Sequence, residues 1–166
     1  MSHYQRCPNG DVYLNIHQFK SSFSDRELYR IGRLYCCSSF VRYDVRTGYL
    51  IPFCQTHDGQ NVLYDPANNY HFLRRKDLNT GLRYVDMTRL QRLRWIRPII
   101  EGKTKLIFLF KEKTDSETGI KKRLYYCRSL KYLVVLNQKN EGTWLLNTAY
   151  RVTEDWMRQK IEEDFK

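Results

Sequence analysis

Four strand-like segments joined by very short connectors constrain the fold of this chain more than any other feature. They read KLIFLFKEK at residues 105–113, KRLYYCRSL at 122–130, KYLVVLNQ at 131–138 and GTWLLNTAYRV at 142–152. Aromatic and β-branched residues dominate each segment, as is typical of β-strands. Connectors this short cannot hold a crossover, so neighbouring strands must be antiparallel. The sequence therefore predicts an antiparallel sheet of three or four strands, with a tight turn at residues 129–131.

Amphipathic helices are predicted on both sides of this sheet. The segment MTRLQRLRWIRPIIEG has apolar residues at helical spacing, with Gly102 as its end and Pro98 as the point of a bend or a split. After the sheet, TEDWMRQKIEEDF begins at cap-like Thr153 and shows the same helical spacing. Its inward-facing residues are predicted to be Trp156, Met157, Ile161 and Phe165.

The first 80 residues show a different pattern. Ser24 is a candidate N-cap for a helix in SFSDRELYRIGRLYCCSSFV, and the alternation in FVRYDVRTGYLIPFCQ predicts a hairpin around Thr47 and Gly48. Residues 55–82 are rich in turn-forming residues and are interpreted as a loop-rich join. We see no internal repeat. The predicted fold class is α+β: an N-terminal helical and hairpin subdomain, then a helix, a three- to four-stranded antiparallel sheet and a C-terminal helix.

Size and hydropathy limit the class of protein. A chain of 166 residues is long enough for one domain, which we divide into residues 1–80, of uncertain role, and residues 81–166, an α+β domain. No apolar run reaches the roughly 18 residues that a membrane-spanning helix needs, and the N-terminus lacks the apolar core of a signal peptide. We therefore expect a soluble protein of the cytoplasm that does not bind membranes.

The cysteines favour reduced thiols over a disulfide framework. Cys36 and Cys37 are adjacent, the total of five is odd, and no C-x-x-C pair occurs. Cys54 and His57 form one C-x-x-H pair that could bind zinc, but a second paired cluster is missing. We predict neither a metal nor another cofactor.

A formal net charge of +11 points to polyanionic partners. Residues 1–80 carry 10 Lys and Arg against 7 Asp and Glu, whereas residues 81–152 carry 16 against 6. The positive charge is therefore concentrated in the second half of the chain. By charge alone, RNA, DNA, anionic membranes and acidic proteins are all compatible with it, although no membrane partner is expected.

Two sequence stretches in the second half resemble a known family. R-L-Q-R-L-R-W-I-R-P-I-I-E begins at Arg89, and L-N-T-A-Y-R-V ends at Val152 after the strand Y-L-V-V-L. Their order and distance resemble the phage-associated branch of the barnase/EndoU/colicin/RelE-like nucleases. The resemblance covers residues 89–152 and does not extend to the residues before about 81. It implies a RelE- or barnase-like fold and a metal-independent ribonuclease of toxin type that cleaves tRNA or mRNA.

Transesterification by the ribose 2′-OH needs a base, an acid and cations that stabilise the charge on the phosphorane. With the resemblance, this chemistry points to Arg89 and Arg92, one helical turn apart, as the phosphate clamp. Strand alternation places Thr148 and Tyr150 on one face, where two hydroxyls could meet one phosphate. These four residues are the predicted catalytic set.

Further residues are predicted around this set. His71 and His57 are the candidate general bases, because histidine commonly transfers protons near neutral pH. The predicted RNA-binding residues share a positive charge and are Arg94, Arg97, Arg74, Arg75, Lys76 and Arg151. Ordinary structural roles, such as a solvated arginine face or strand packing of Thr and Tyr, stay open for all of them.

Two other functions fit the same residues. The chain could be a non-catalytic nucleic-acid-binding factor, or a protein-inhibiting factor, from a phage or mobile element. A toxin would also require an acidic antitoxin or immunity protein, which a +11 chain could bind tightly. The oligomeric state cannot be read from the sequence.

Overall fold

A computed structural model describes residues 42–65, 72, 74–85, 89, 92–103 and 108–165. In chain order its strands are β1 (Arg42–Tyr43), β2 (Leu50–Ile51), β3 (Cys54–Gln55), β4 (Asn61–Leu63), β5 (Arg74–Lys76), β6 (Arg83–Val85), β7 (Leu109–Thr114), β8 (Lys121–Cys127), β9 (Tyr132–Asn140) and β10 (Thr143–Arg151). A 3-10 turn (Leu93–Trp95) leads into helix α1 (Ile96–Glu101), and helix α2 (Asp155–Asp164) follows β10. The helix predicted to begin at Ser24 lies outside the described residues.

The central sheet has six strands in the order β3-β4-β10-β9-β8-β7. The predicted segments from 105 to 152 form β7 to β10, which run antiparallel to one another. Strand β4, however, pairs parallel to the start of β10, with Asn61 opposite Thr143. The pairs β1–β2 and β5–β6 are separate two-stranded hairpins, and the first lies around Thr47 and Gly48 as predicted.

The predicted fold class is wrong in two respects. The sheet is mixed and six-stranded rather than antiparallel with three or four strands. Its β4 comes from the region interpreted as a loop-rich join and its β3 from the end of the predicted hairpin segment, so this part of the chain does not form a helical and hairpin subdomain apart from the sheet. Strands of two and three residues are too short to show the alternation on which strand prediction depends. The division near residue 80 stays a prediction.

Three hairpins in the described part of the chain close with the same pattern, Asp-x-x-Thr-Gly. The turns begin at Asp44, Asp77 and Asp115, and in each the Asp Oδ1 accepts the backbone N–H two residues later at 2.8–2.9 Å. The glycine of each turn has a φ between 72° and 74°, which favours glycine over other residues. The expectation of no internal repeat is wrong at this scale, because one short turn motif occurs three times.

The sheet buries apolar side chains on both faces. On the first face, Trp144, Leu146 and Leu136 pack with residues of α1, namely Ile96, Ile99 and Ile100. On the second face, Leu124, Tyr126, Leu133 and Val135 pack with Ile161 of α2. The sheet therefore lies between two helical layers. None of the helices that the structure describes is long and apolar enough to cross a membrane.

Pro98 and Gly102 determine where α1 lies. The helix begins at Ile96, which places Pro98 in its first turn, where a missing N–H breaks no helical hydrogen bond. Gly102 ends the helix in the left-handed conformation, with a φ of 71°. In α2 the N-cap is Glu154 rather than Thr153, and Trp156 is 57% exposed, so its predicted inward orientation is wrong.

Candidate functional site

A β-bulge in β10 controls which way its side chains point. The register with β9 shifts between Leu146 and Thr148, so Leu146 and Ala149 both contribute to the first-face core. Thr148 is paired with Val135 and Tyr150 with Leu133, and both partners belong to the second-face core. Thr148 and Tyr150 are half-buried and share the second face.

The two predicted clamp arginines have different surroundings. The guanidinium carbon of Arg89 lies 5.1 Å from the centre of the Tyr150 ring, which is the distance of a cation–π contact. Arg92 is only 3% exposed, and its guanidinium carbon lies 5.2 Å from the centre of the Trp95 ring. The structure therefore brings Arg89 and Tyr150 together, but packs Arg92 inside the protein.

His57 lies on the first face of the sheet. Its Nδ1 is 3.1 Å from the Tyr125 hydroxyl, and its exposed ring meets the edge of Phe110 with 4.9 Å between the ring centres. Burial, partly opposed by Arg123, raises the pKa of Tyr125 to about 12, so this hydroxyl stays protonated in neutral solution. His57 is thus on the opposite face from Thr148 and Tyr150. The second candidate base, His71, lies outside the described residues.

The predicted RNA-binding residues are dispersed. Arg97 is exposed on α1, Arg151 is exposed at the end of β10, and Lys76 is exposed on β5. Arg94 lies in the 3-10 turn, and Arg74 and Arg75 lie on β5; their side chains are outside the described part of the structure. Among the members of this group whose side chains the structure describes, Arg97 alone lines an open groove beside α1.

An open groove of about 460 Å³ runs between the β1–β2 and β3–β4 hairpins and α1. The polar side chains that line it include Arg42, Gln55, Asn61, Arg97, Glu101 and Lys103. We call it the basic groove, because three cations, Arg42, Arg97 and Lys103, and only one carboxylate are among the described residues that line it. The sequence-based prediction identified Arg97 but missed Arg42 and Lys103.

Glu101 holds two of the groove cations in place. Its side chain, 11% exposed, accepts hydrogen bonds from Arg97 and, at 2.9 Å, from Lys103. Burial alone would raise the pKa of Glu101, but the hydrogen bonds from Lys103 and Arg97 outweigh burial and lower it. Glu101 is therefore ionised in neutral solution, and with Arg42 the groove keeps an excess of two positive charges.

A buried arginine fixes the loop beside this groove. Arg123 of β8 donates two hydrogen bonds to Asp58 at 2.8 and 2.9 Å and one to Glu112 at 2.8 Å, and it forms an ion pair with the same Glu112 oxygen at 2.7 Å. Its guanidinium carbon lies 4.6 Å from the centre of the Trp144 ring. Hydrogen bonds from Arg123, and to a smaller extent from Thr56, lower the pKa of Asp58 despite burial. These contacts attach residues 56–58 to the first face of the sheet.

The described residues do not form a metal-binding site. No group of three His, Cys, Asp or Glu side chains there is arranged to hold an ion. Cys54 is buried, and burial raises the pKa of its thiol to about 12, so it is a poor source of thiolate.

The chain has no match to a protein-family model, to a curated protein or to a solved structure. The geometry and charge of these sites are therefore the basis on which a function can be assigned to the chain.

Proposed function

We propose that this protein binds RNA in the basic groove. The observation that carries the proposal is the convergence of Arg42, Arg97 and Lys103 on one open groove in a chain of net charge +11. Arg and Lys are the side chains that most often bind the phosphates of nucleic acids. Gln55 and Asn61 add amide groups that can contact sugars and base edges.

The shape of the groove also fits a polymer. Its volume of about 460 Å³ is that of an ordinary ligand site, yet the groove is open to solvent. An open groove can hold one stretch of a longer chain of nucleotides while the rest of that chain stays in solvent. The proposed location of this activity is the cytoplasm, where RNA is abundant.

RNA cleavage without a metal is a second candidate function, and the position of His57 favours it. A Cβ placed on Gly102, at the end of α1, would lie 3.1 Å from the Cβ of His57, so this histidine adjoins the segment that carries Arg97 and Lys103. Its Nδ1 contacts Tyr125, while no described residue hydrogen-bonds its Nε2. His57 could thus move a proton during attack by the 2′-OH of a bound strand.

The alternative cleavage centre on the second face consists of Thr148, Tyr150 and Arg89. The two centres lie on opposite sides of the sheet, so they cannot act on the same phosphate. A toxin that used either centre would also require an acidic antitoxin or immunity protein, as proposed from the charge of the chain.

Binding is tested with a labelled single-stranded RNA over a range of salt concentrations. We expect the double variant Arg97→Ala/Lys103→Ala to bind at least tenfold more weakly and to show a smaller salt dependence, by roughly 0.7 in the log–log slope per lost phosphate contact. The matched control, Arg128→Ala/Arg158→Ala, removes the same charge from cations that pair with Glu162 and Asp155. Equal loss in both double variants would show that general charge, not the groove, binds RNA.

Cleavage is tested by incubating the protein with RNA and EDTA. Fragments with 2′,3′-cyclic phosphate ends would support a ribonuclease, whereas intact but shifted RNA would support binding alone. Loss of cleavage in His57→Ala would place the chemistry on the first face, and loss in Thr148→Ala would place it on the second. A protein that does not contact RNA at all would support the protein-inhibiting alternative.

A further inference from the structure

Tyr49 is an exposed aromatic residue on the hairpin that forms one wall of the basic groove. Its side chain is 74% exposed, and it follows Gly48 at the end of the β1–β2 turn. Asp44 donates its backbone N–H to the Tyr49 carbonyl at 2.9 Å, which makes these two residues the next pair after Tyr43 and Leu50.

The strand register places Tyr49 on the same face of the hairpin as Arg42. Arg42 is paired with Ile51, so their side chains point the same way, and Tyr49 precedes Ile51 by two residues. Two residues of a strand span about 7 Å. The Tyr49 ring is therefore separated from Arg42, a cation of the groove, by about the length of two residues along the hairpin.

The turn itself does not require an aromatic residue at this position. Leu82 and Ile120 occupy the same place in the other two Asp-x-x-Thr-Gly turns, where their backbone N–H also lies 3.3 Å from the Oγ1 of the turn threonine. The exposed tyrosine occurs at the turn beside the groove. Turn geometry accounts for the glycine and the threonine, but not for the ring.

We infer that the basic groove takes single-stranded RNA and that the Tyr49 ring stacks on an unpaired base of the strand bound there. This inference rests on the proposed function. Stacking on an aromatic side chain requires the face of a base, which a duplex hides between neighbouring base pairs. The cations of the groove hold the phosphates, and the ring adds contacts that do not depend on base identity.

The test compares Tyr49→Ala, Tyr49→Trp and Leu82→Ala in binding to a single strand and to a duplex of the same RNA. Leu82→Ala is the matched control, because Leu82 is 71% exposed at the equivalent turn position. We expect Tyr49→Ala to weaken binding of the single strand roughly tenfold, and Tyr49→Trp and Leu82→Ala to change it less than about twofold. Duplex binding should be weaker and insensitive to all three changes. Circular dichroism checks that each variant is folded.

Unchanged binding of the single strand by Tyr49→Ala would overturn the inference. If Arg97→Ala/Lys103→Ala still weakened binding in that case, the basic groove would stand as an RNA site without a stacking tyrosine. If neither variant weakened binding, both the inference and the proposed function would fail. An equal loss of duplex binding in Tyr49→Ala would also contradict stacking on an unpaired base.

Discussion

Arg123 binds both carboxylate oxygens of Asp58, at 2.8 and 2.9 Å, although 65 residues separate the two in the chain. Arg123 is 3% exposed, while the Asp58 side chain is 37% exposed. The contact fastens the β3–β4 loop, which carries His57, to the first face of the sheet. The position of His57 beside the groove therefore depends on an ion pair whose cation is buried and whose anion is accessible.

We predict that Asp58→Asn destabilises the protein by about 2 kcal/mol, because Arg123 stays buried with one carboxylate fewer. The value is at the low end for a buried pair, since the Asp58 side chain is partly solvated. Urea unfolding measures the change. In the background of Arg123→Met the same substitution should cost much less, and equal costs in both backgrounds would contradict the pairing.

Stability is predicted to fall in acid. Asp58, Glu101 and Glu112 all have a pKa lowered in the folded protein, so their contributions are present above the unfolded value of about 4. They are lost as the pH drops from there through the folded values. The free energy of unfolding should thus decline below about pH 4. Asp58→Asn should make this decline shallower, and an unchanged pH profile in that variant would count against the assignment.

Gly102→Ala is predicted to destabilise the protein more than Gly119→Ala. Both glycines have a φ of 71° to 72°, so alanine strains the backbone at each by about 1 kcal/mol. A Cβ at Gly102 would lie 3.1 Å from the Cβ of His57, whereas nothing lies within 4 Å of one at Gly119. Thermal unfolding of the two variants isolates this contact. Equal shifts in melting temperature would show that His57 moves away freely.

Arg92→Ala is predicted to reduce stability by about 2 kcal/mol or more, because it removes a buried side chain that packs on Trp95. The Thr148 side chain is half-buried, so Thr148→Ala should lower the free energy of unfolding by less than about 1 kcal/mol. Denaturant unfolding compares the two. A loss of RNA cleavage in Arg92→Ala is evidence for a catalytic role only if the variant is still folded, whereas such a loss in Thr148→Ala is direct evidence.

The sequence predicted the long strands because each has enough residues to show a pattern. Strands β7 to β10 contain six to nine residues, and their short turns determine which strands are neighbours. Strands β3 and β4 contain two and three residues, and the β4–β10 pair joins distant parts of the chain. Local periodicity carries no information about such a pairing. The bulge after Leu146 also cannot be predicted from the sequence, because it is defined by the register between β9 and β10.

The candidate site was predicted only in part for a similar reason. Arg97 and His57 were identified from residue type and local context, and both lie at or beside the basic groove. Arg42 lines the groove together with Arg97 and Glu101 of α1, and no sequence pattern indicates that β1 and α1 lie at the same groove. Arg123 did leave a signal: it is a charged residue at the start of the apolar run of β8. A charge in such a position predicts an acidic partner, and Asp58 and Glu112 are the partners that the structure shows.

The parallel pairing of β4 with β10 has a consequence for when the basic groove is completed during synthesis of the chain. Trp144 of β10 donates a hydrogen bond to Gln60, 84 residues earlier in the chain. Strands β7 to β9 can associate as soon as they leave the ribosome, but β4 must wait for β10 before it has a neighbour on that side. Asn61 in β4 and Gln55 in β3 reach their places only then. A nascent chain that ends before β10 should therefore lack the completed basic groove, however much positive charge it already carries.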